Sequence, residues 1–388
     1  MVNDINRISK TRPYRCWTEF DLVSLERNLG KIRAALQPTM RFVSVVKADA
    51  YGHGLSQTVT RLMQTGVDAF AVANLEEAAQ VQEIGTGWPI LILSAILPEE
   101  DDALQEISCI PAVSCIEEVE RFAKVARTCQ RSQQIHMKID TGMGRLGVWH
   151  TEAIKLYQSI QDFPELVLSG VFTHFSSPVT DPSFTEHQRD LFLKTVRGLN
   201  ANRSNWLIHA DNSASLRALV RAPEYNLFNA VRIGLLQFGA KPAPHSFLSD
   251  LETEAVLSFH TKVGLVKNLP AGTPISYQQT YRLQKAEKIA ILTAGYGDGI
   301  PTQLSNRGSV LIRGKRCPIL GRVTMDQVVV SAREIPNLQC GETVTLIGKQ
   351  VKEEITVQEF SEKAGVIPWE VFCSITQRVK RLYRTIRA

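Results

Sequence analysis

The chain has 388 residues, of which 44% are hydrophobic and 21% are charged, and its formal net charge is +5. This composition is typical of a globular protein and excludes a disordered chain. The length exceeds what one hydrophobic core usually organises, so two domains are expected, and one of them has room to be a barrel of about 250 residues.

The first half of the chain alternates between short β-branched apolar runs and amphipathic segments of helical period. Eight runs predict strands, at residues 42–46, 69–73, 90–93, 110–113, 135–139, 166–173, 207–210 and 230–233. The intervening segments predict helices, for example at residues 75–84, 116–127 and 186–199. Eight such units favour a closed, parallel (β/α)8 barrel of the TIM type over an open sheet, and the fold class is therefore α/β.

After about residue 252 the pattern changes to alternating runs separated by short turns. The runs lie at residues 256–266, 288–293, 309–312, 328–331 and 343–347. Period-two alternation between turns is typical of β-strands. The sequence therefore predicts a barrel domain over residues 1–252 and a mostly β C-terminal domain over residues 253–388.

Compartment and partners are constrained by what the sequence lacks. The segment MVNDINRISK has no apolar signal core, and the longest apolar run, residues 90–97, is too short to span a bilayer. The seven cysteines are odd in number and have no metal-ligand spacing, so reduced, mostly buried thiols and no metal are expected. A basic C-terminal cluster lacks aromatic interleaving, which favours a solvated face over a nucleic-acid site. We expect a cytoplasmic protein that binds neither membrane nor nucleic acid.

Polar residues stand where the predicted barrel strands end, which is where barrel enzymes place their chemistry. They are Lys47 after the first strand, Lys138, Asp140 and Arg145 at the fifth, His174 at the sixth, Asn212 and Ser213 at the seventh, and Arg232 and Gly234 at the eighth. Each alone has a structural explanation, such as a lysine that snorkels to the surface or a hydrogen-bonded core histidine. Together they predict a site, because the topology gathers them at one rim.

A lysine at a strand end can form a Schiff base if its amine loses its proton, which burial and nearby cations promote. Phosphate sites in barrels commonly use the loops after strands seven and eight together with a helix N-terminus. Ser213, predicted to begin a helix at residues 214–219, and Gly234 fit that requirement. The topology therefore suggests a phosphorylated cofactor held opposite Lys47.

Eight separated segments carry a family resemblance. They are VVKADAYGHG, MKIDTGMGRLGV, GVFTHF, HADNSAS, AVRIGL, ISYQQTY, GYGDG and GRVTMDQ. In order and spacing they resemble the motifs of the alanine racemases, across nearly the whole chain. The resemblance implies interconversion of L- and D-alanine with pyridoxal 5'-phosphate on Lys47. It also implies that Lys47 is the base on one face of the substrate and that Tyr277, donated by the partner in a homodimer, is the acid/base on the other.

The resemblance further assigns roles around these two bases. A free tyrosine, with a reference pKa of about 10, needs help from a cation to act as a base. In the family pattern His174 bonds Tyr277, and Arg232 bonds His174 and the pyridine nitrogen. A guanidinium only donates hydrogen bonds, so the ring becomes a weaker electron sink and racemisation should prevail over transamination. Arg145 and the backbone amide of Met325 are implied to bind the substrate carboxylate.

The remaining implied contacts concern the phosphate and the entrance. Tyr51, Ser213 and the backbone of Gly234 and Leu235 match phosphate-binding positions, with Asn212 beside them. Tyr296 matches a tyrosine near the substrate entrance. Lys138 matches a lysine that is often carbamylated in the family, which would turn a repulsive neighbour of Arg145 into an anion.

The chain departs from the family pattern at three positions. Gln377 stands where a tyrosine is common, Thr324 replaces a common cysteine before Met325, and Gln278 replaces a common glycine after Tyr277. The first change leaves serine or larger amino acids open as substrates, and the sequence leaves open whether the product serves peptidoglycan synthesis or catabolism. Two rival interpretations, a decarboxylase on the same plan and a carrier without catalysis, are disfavoured: the decarboxylase substrate motif is not evident, and carriers resemble the first domain alone.

Overall fold

The computed structural model describes residues 14–199, 204–216, 227–241 and 251–386. The chain divides into two compact units, one of Leu25–Glu254 and one of Met1–Ser24 with Ala255–Ala388. We call them the barrel unit and the β unit.

The strands of the described residues are numbered in chain order. They are β1 (Cys16–Asp21), β2 (Arg41–Val45), β3 (Ala69–Val72), β4 (Ile90–Ile92), β5 (Ile110–Val113), β6 (Gln133–Asp140), β7 (Val148–Trp149), β8 (Leu166–Phe172), β9 (Leu207–Asn212), β10 (Ala230–Ile233), β11 (Leu257–Leu269), β12 (Pro274–Ile275), β13 (Tyr281–Arg282), β14 (Glu287–Leu292), β15 (Ser309–Ile312), β16 (Lys315–Pro318), β17 (Val328–Ser331), β18 (Thr343–Gln350), β19 (Glu353–Ile355) and β20 (Lys380–Arg384).

The α-helices of the same residues are numbered likewise. They are α1 (Leu22–Ala35), α2 (Leu55–Gln64), α3 (Leu75–Ile84), α4 (Asp101–Glu106), α5 (Ile116–Thr128), α6 (Ala153–Gln161), α7 (Pro182–Gly198), α8 (Val357–Ala364) and α9 (Pro368–Ser374).

Eight parallel strands close the barrel unit. Their order is β5-β4-β3-β2-β10-β9-β8-β6, and an additional pairing of β5 with β6 completes the ring. The predicted (β/α)8 barrel is confirmed, and each observed strand lies within two residues of its predicted ends. Strands such as β3 and β5 are buried along their whole length, which is why they occur in the sequence as continuous apolar runs.

Helices α3 and α7 of the barrel each begin at a side chain that accepts a free N–H group of the first turn. Asn74 caps α3 by accepting from the Glu77 N–H, and this helix has the predicted bounds. Asp181 caps α7, and Pro182 occupies its first position. Helix α7 therefore begins four residues before its predicted start at residue 186.

One large sheet dominates the β unit. Its main order is β16-β15-β18-β11-β1-β20, with β14 pairing β11 and β17 and with β19 on β18. Two helices, α8 and α9, accompany it, so the unit is mostly β as predicted. The sequence assigned residues 1–252 to the barrel, but β1 lies in this sheet, antiparallel to β11 and parallel to β20. These pairings join residues more than 230 positions apart in the sequence, so no local sequence pattern predicts them.

Two further expectations concern membranes and cysteines. Within the described ranges, no helix is long and apolar enough to cross a membrane. All seven cysteines are free, but only Cys16, Cys109 and Cys317 are buried, and Cys340 and Cys373 are exposed. The expectation of mostly buried thiols is therefore wrong.

Candidate active site at the barrel rim

The predicted rim residues share one electrostatic environment. Burial first, and then the charges of Arg232, Lys138, Arg145 and Lys47, lower the pKa of His174 to about 3. Four charges from three strand ends reach one imidazole because the carboxyl ends of parallel strands meet at the same rim. The structure therefore brings these five predicted residues together, and His174 is neutral at physiological pH.

The backbone after Lys47 has an unusual conformation. Lys47 is half-buried and follows β2, and residues 48–51 all have φ between 53° and 55°. Left-handed backbone costs non-glycine residues about 1–2 kcal/mol each, so other contacts must hold it. The Ala48 N–H donates to the Glu77 carboxylate at 2.6 Å, and the Asp49 carboxylate accepts from the Leu55 N–H at 2.7 Å. The turn thus fixes the direction in which the chain leaves Lys47.

Tyr51, Ser213 and Gly234 form a cradle beside this turn. A Cβ atom on Gly234 would lie 2.5 Å from the Tyr51 hydroxyl oxygen, so a larger residue would displace the Tyr51 side chain from the cradle. The Ser213 hydroxyl accepts from the N–H groups of Gly234 at 3.1 Å and Leu236 at 3.4 Å. A one-turn 3-10 helix, Leu235–Phe238, begins at the same place. Hydroxyl groups and helix-start N–H groups that converge on a glycine suit a phosphate group.

Asn212 shapes the turn that carries Ser213. Its side-chain oxygen accepts from the Ala214 N–H at 2.9 Å, and its own N–H donates to the Ser215 hydroxyl at 3.0 Å. Residues 213–215 form a turn, and residues 217–219 of the predicted helix lie outside the described residues.

Arg232 is 3% exposed and lies at the end of β10. Its guanidinium donates to the carbonyl oxygens of Thr173 and Ala210, each at 2.9 Å, and to ring nitrogens of His209 at 2.6 Å and His174 at 3.3 Å. Burial lowers the pKa of Arg232 to about 10, which still leaves it charged at neutral pH.

The donor-only guanidinium determines where the His174 proton lies. Arg232 faces Nδ1 of His174, so Nδ1 must accept and the proton must sit on Nε2. A neutral His174 cannot relay positive charge. The cation of this network is Arg232, and His174 presents a neutral N–H from its other ring nitrogen.

Lys138 is 5% exposed, and its Nζ lies 5.5 Å from the centre of the Phe172 ring. Burial, followed by the charges of Arg232 and Arg145, lowers the pKa of Lys138 to about 8. An appreciable fraction of this amine is therefore neutral and nucleophilic near neutral pH.

Arg145 lies on a loop that Asp140 folds. The Asp140 carboxylate accepts from the N–H groups of Gly142, Met143 and Gly144 at 2.8 to 3.2 Å. Three donors to one carboxylate fix the loop directly before Arg145, whose side chain is exposed.

Three predicted site residues belong to the β unit and are exposed. Tyr277 is 71% exposed, Met325 is 52% exposed and Tyr296 is 44% exposed. Two backbone hydrogen bonds join the segment of Tyr296 to that of Met325. The Tyr296 N–H donates to the Thr324 carbonyl oxygen and the Gly297 N–H donates to the Met325 carbonyl oxygen, each at 2.9 Å.

The departures from the family pattern also fall in this unit. Gln278 has φ +59°, a conformation that glycine adopts without strain, so its side chain is tolerated there at some cost. The Thr324 hydroxyl donates to the Gln327 carbonyl at 2.9 Å, and Gln377 is exposed.

Two buried histidines were missed by the sequence reasoning. His209 bonds Arg232, and His136 bonds His209 at 3.2 Å. A signal was available, because His136 and Lys138 are two residues apart in one strand and so face the same side.

These features define a class of protein: a barrel enzyme with a rim amine, a cradle suited to a phosphate group and a buried guanidinium, followed by a mostly β unit. The family model for the alanine racemase N-terminal domain matches residues 20–242, and that for the alanine racemase C-terminal domain matches residues 256–383.

Individual relatives agree with the family models. The chain is 37% identical to an alanine racemase of Halothermothrix orenii, covering 96% of this chain and 97% of the relative. It is 36% identical to one of Methylacidiphilum infernorum, covering 95% and 93%. A solved alanine racemase of Bacillus anthracis with bound L-Ala-P is 32% identical, with a TM-score of 0.85 and 96% of each chain covered. The chain belongs to the alanine racemase family.

Proposed function

We propose that the chain interconverts L-alanine and D-alanine by two-base racemisation with pyridoxal 5'-phosphate. The observation that carries this proposal is the shared rim of Lys47, Lys138, Arg145 and Arg232 around the neutral His174. Membership of the alanine racemase family supports the same reaction.

The residues present fit the cofactor. Lys47 would carry it covalently, while Tyr51, Ser213 and the backbone of Gly234 and Leu235 would hold its phosphate. The absent Cβ at Gly234 and the hydroxyl groups beside it support this placement. Bound pyridoxal phosphate supplies an electron-withdrawing ring that acidifies the Cα–H bond of an amino acid. Arg232, which stays charged and only donates, would face the ring nitrogen without protonating it.

The proton chemistry would be divided between two groups. Lys47 Nζ would take or return the Cα proton on one face of the substrate, and Tyr277 of the partner subunit would do so on the other. The Nε2–H of His174 would donate to that tyrosine oxygen and stabilise its anionic form. Arg145 would bind the substrate carboxylate with its fork of donors.

We also propose that the working unit is a homodimer with shared sites. Tyr277 and Met325 are the exposed residues that the family pattern assigns to a neighbour's site. A tyrosine that is 71% exposed lacks the desolvated surroundings that catalytic bases usually have, and a partner would supply them.

Lys138 is proposed to be carbamylated. Its neutral amine would add to CO2 and lose a proton, which yields an anionic carbamate beside Arg145. Burial and the charges of three nearby cations lower the Lys138 pKa, which supports this proposal. Incubation with 13C-bicarbonate should give one carbamate carbon signal that is absent in Lys138→Met.

The racemase activity is tested by incubation of the purified protein with L-alanine in deuterated water. We expect D-alanine to form with deuterium at Cα, and Lys47→Ala to lose this activity. Lys155→Ala, which changes an exposed lysine on α6, is the matched control and should remain active. Binding of L-alanine without Cα exchange would refute the proposal.

Shared sites are tested by mixing two inactive variants, Lys47→Ala and Tyr277→Phe. Random exchange of subunits makes half of the dimers mixed, each with one intact site, so about a quarter of the native activity should return. Tyr281→Phe, which removes a nearby hydroxyl group, should stay active by itself. No recovery after verified subunit exchange would show that each chain is self-sufficient.

A further inference from the structure

A line of buried hydrogen bonds runs from Arg232 into the barrel interior. Arg232 contacts Nδ1 of His209 at 2.6 Å, and Nε2 of His209 contacts Nδ1 of His136 at 3.2 Å. The three residues are 3%, 0% and 1% exposed. His136 therefore touches Arg232 only through His209.

The guanidinium determines the proton positions along this line. Arg232 can only donate, so Nδ1 of His209 accepts and its proton sits on Nε2. That N–H donates to Nδ1 of His136, whose own proton then sits on Nε2. Burial and the charge of Arg232 lower the pKa of His136 to about 3 and that of His209 well below its usual range. Both rings are neutral, and each has one defined tautomer.

The neighbouring strands leave a shaped slot for the two rings. His136 lies opposite Gly170 in the β6–β8 register, and a Cβ atom on Gly170 would lie 2.5 Å from Nε2 of His136. Phe172 lies opposite His209 in the β8–β9 register and stacks on it, with ring centres 4.9 Å apart and planes 4° apart. The side chain of His136 thus occupies space that only glycine at position 170 leaves open.

We propose that His136 is a positioning residue that, by accepting the Nε2–H of His209, holds the Nδ1 acceptor of His209 toward Arg232 and so fixes the guanidinium at the rim. The consequence for catalysis rests on the proposed function, since Arg232 must face the cofactor for its position to affect turnover. The hydrogen-bond geometry itself does not depend on that function.

Two variants separate an acceptor role from space filling. His136→Asn keeps an acceptor oxygen near the position of Nδ1, whereas His136→Leu fills similar space without one. In His136→Leu the His209 N–H has no acceptor, so Arg232 is held less firmly at the rim. We expect kcat to fall about 10- to 100-fold. KM for alanine should change less than kcat, because His136 does not contact substrate. His136→Asn should retain kcat within about threefold of the native value.

The test also has a readout that does not depend on turnover. In holoenzyme labelled with 15N-histidine, two-bond nitrogen–proton correlations report the tautomer of each ring. We expect His209 with its proton on Nε2 in the native protein and in His136→Asn, and a changed His209 signal in His136→Leu.

A native His209 that is protonated on Nδ1 or doubly protonated would overturn the proposal, as would equal losses of kcat in both variants. If the holoenzyme does not racemise alanine at all, the proposed function fails. The measured tautomers of the two histidines still test the role of His136. If His136→Leu does not fold, the native spectrum and His136→Asn decide it.

Discussion

Two buried arginines of the barrel unit occupy opposite electrostatic situations. Arg189 on α7 is 1% exposed and makes a bidentate pair with the equally buried Asp211, at 2.6 and 2.9 Å. Arg232 is 3% exposed, and its hydrogen-bond partners among the described residues are carbonyl oxygens and neutral imidazoles.

The difference shows which charge is available for chemistry. Asp211 neutralises Arg189, whose guanidinium also lies 4.7 Å from the centre of the Phe175 ring, so this pair fastens α7 to β9. Asp211 acts on Arg232 only at longer range, where it raises the pKa. Arg232 therefore retains its positive charge at the rim, where that charge is available to a bound molecule.

The largest expected effect is on stability, at the paired arginine. Arg189→Met leaves the Asp211 carboxylate buried and unpaired, which should cost about 3–5 kcal/mol of unfolding free energy. The double variant Arg189→Met with Asp211→Leu should recover most of the loss. Urea unfolding measures both. An Arg189→Met protein as stable as the native one would contradict the structural role.

Substitution of Arg232, which no carboxylate of the described residues neutralises directly, should affect activity strongly and stability little. Arg232→Met should lower kcat/KM for alanine about 10²–10³-fold, or about 3–4 kcal/mol, because the rim loses its charged donor. Its unfolding free energy should change little, since an uncompensated buried charge is removed. Racemisation assays and urea unfolding on the same samples test this. Loss of stability with retained turnover would reverse the comparison.

Arg232 also predicts a product ratio. Arg232→Glu would offer the cofactor ring a group able to share a proton, so transamination should rise relative to racemisation. Pyruvate formation and D-alanine formation measure the two reactions. An unchanged ratio would count against the role of a donor-only guanidinium.

A third buried cation, Lys138, gives a smaller effect with a defined pH dependence. Its folded-state pKa is lowered from 10.5 to about 8, so between these values the unfolded chain binds more protons and stability rises with pH. In CO2-free buffer at pH 7, which lies below both pKa values, Lys138→Met should be about 3 kcal/mol more stable than the native protein. The difference should shrink as the pH rises from 8 to 10.5. A pH-independent difference in urea unfolding would contradict the lowered pKa.

The smallest effect should come from the Asp140 loop. Asp140→Asn weakens the hydrogen bonds to three N–H groups, which should cost about 1–2 kcal/mol and raise KM for alanine through Arg145. Substrate-saturation curves measure KM. A fall in kcat with unchanged KM would instead place this loop in the chemical step.

The sequence predicted the barrel well because its strands carry local signals. Strands β5 and β10 were predicted to the residue, since each is a short apolar run buried along its length. Strand β1 was missed because the polar residues in CWTEFD obscure it and its partners lie far along the chain. The left-handed residues 48–51 were not predicted either, because alanine and tyrosine carry no signal for positive φ and one aspartate is only a weak signal.

The sequence predicted the residues at the rim more fully than the buried histidines that hydrogen-bond behind them. Lys47 and His174 follow strands and Arg232 lies at the end of one, so topology alone brings them to one rim. His136 and His209 lie within strands, where a histidine resembles an ordinary core residue, and only their three-dimensional pairing reveals the line to Arg232. The roles of Tyr277 and Met325 remain predictions that require a partner chain.

The covalent role of Lys47 is tested most directly by borohydride reduction of the purified protein loaded with pyridoxal phosphate, followed by peptide mass mapping. We predict a yellow protein whose cofactor becomes fixed on the peptide that contains Lys47, with no labelling in Lys47→Ala. A protein that stays colourless, or a cofactor fixed on a different lysine, would contradict the account.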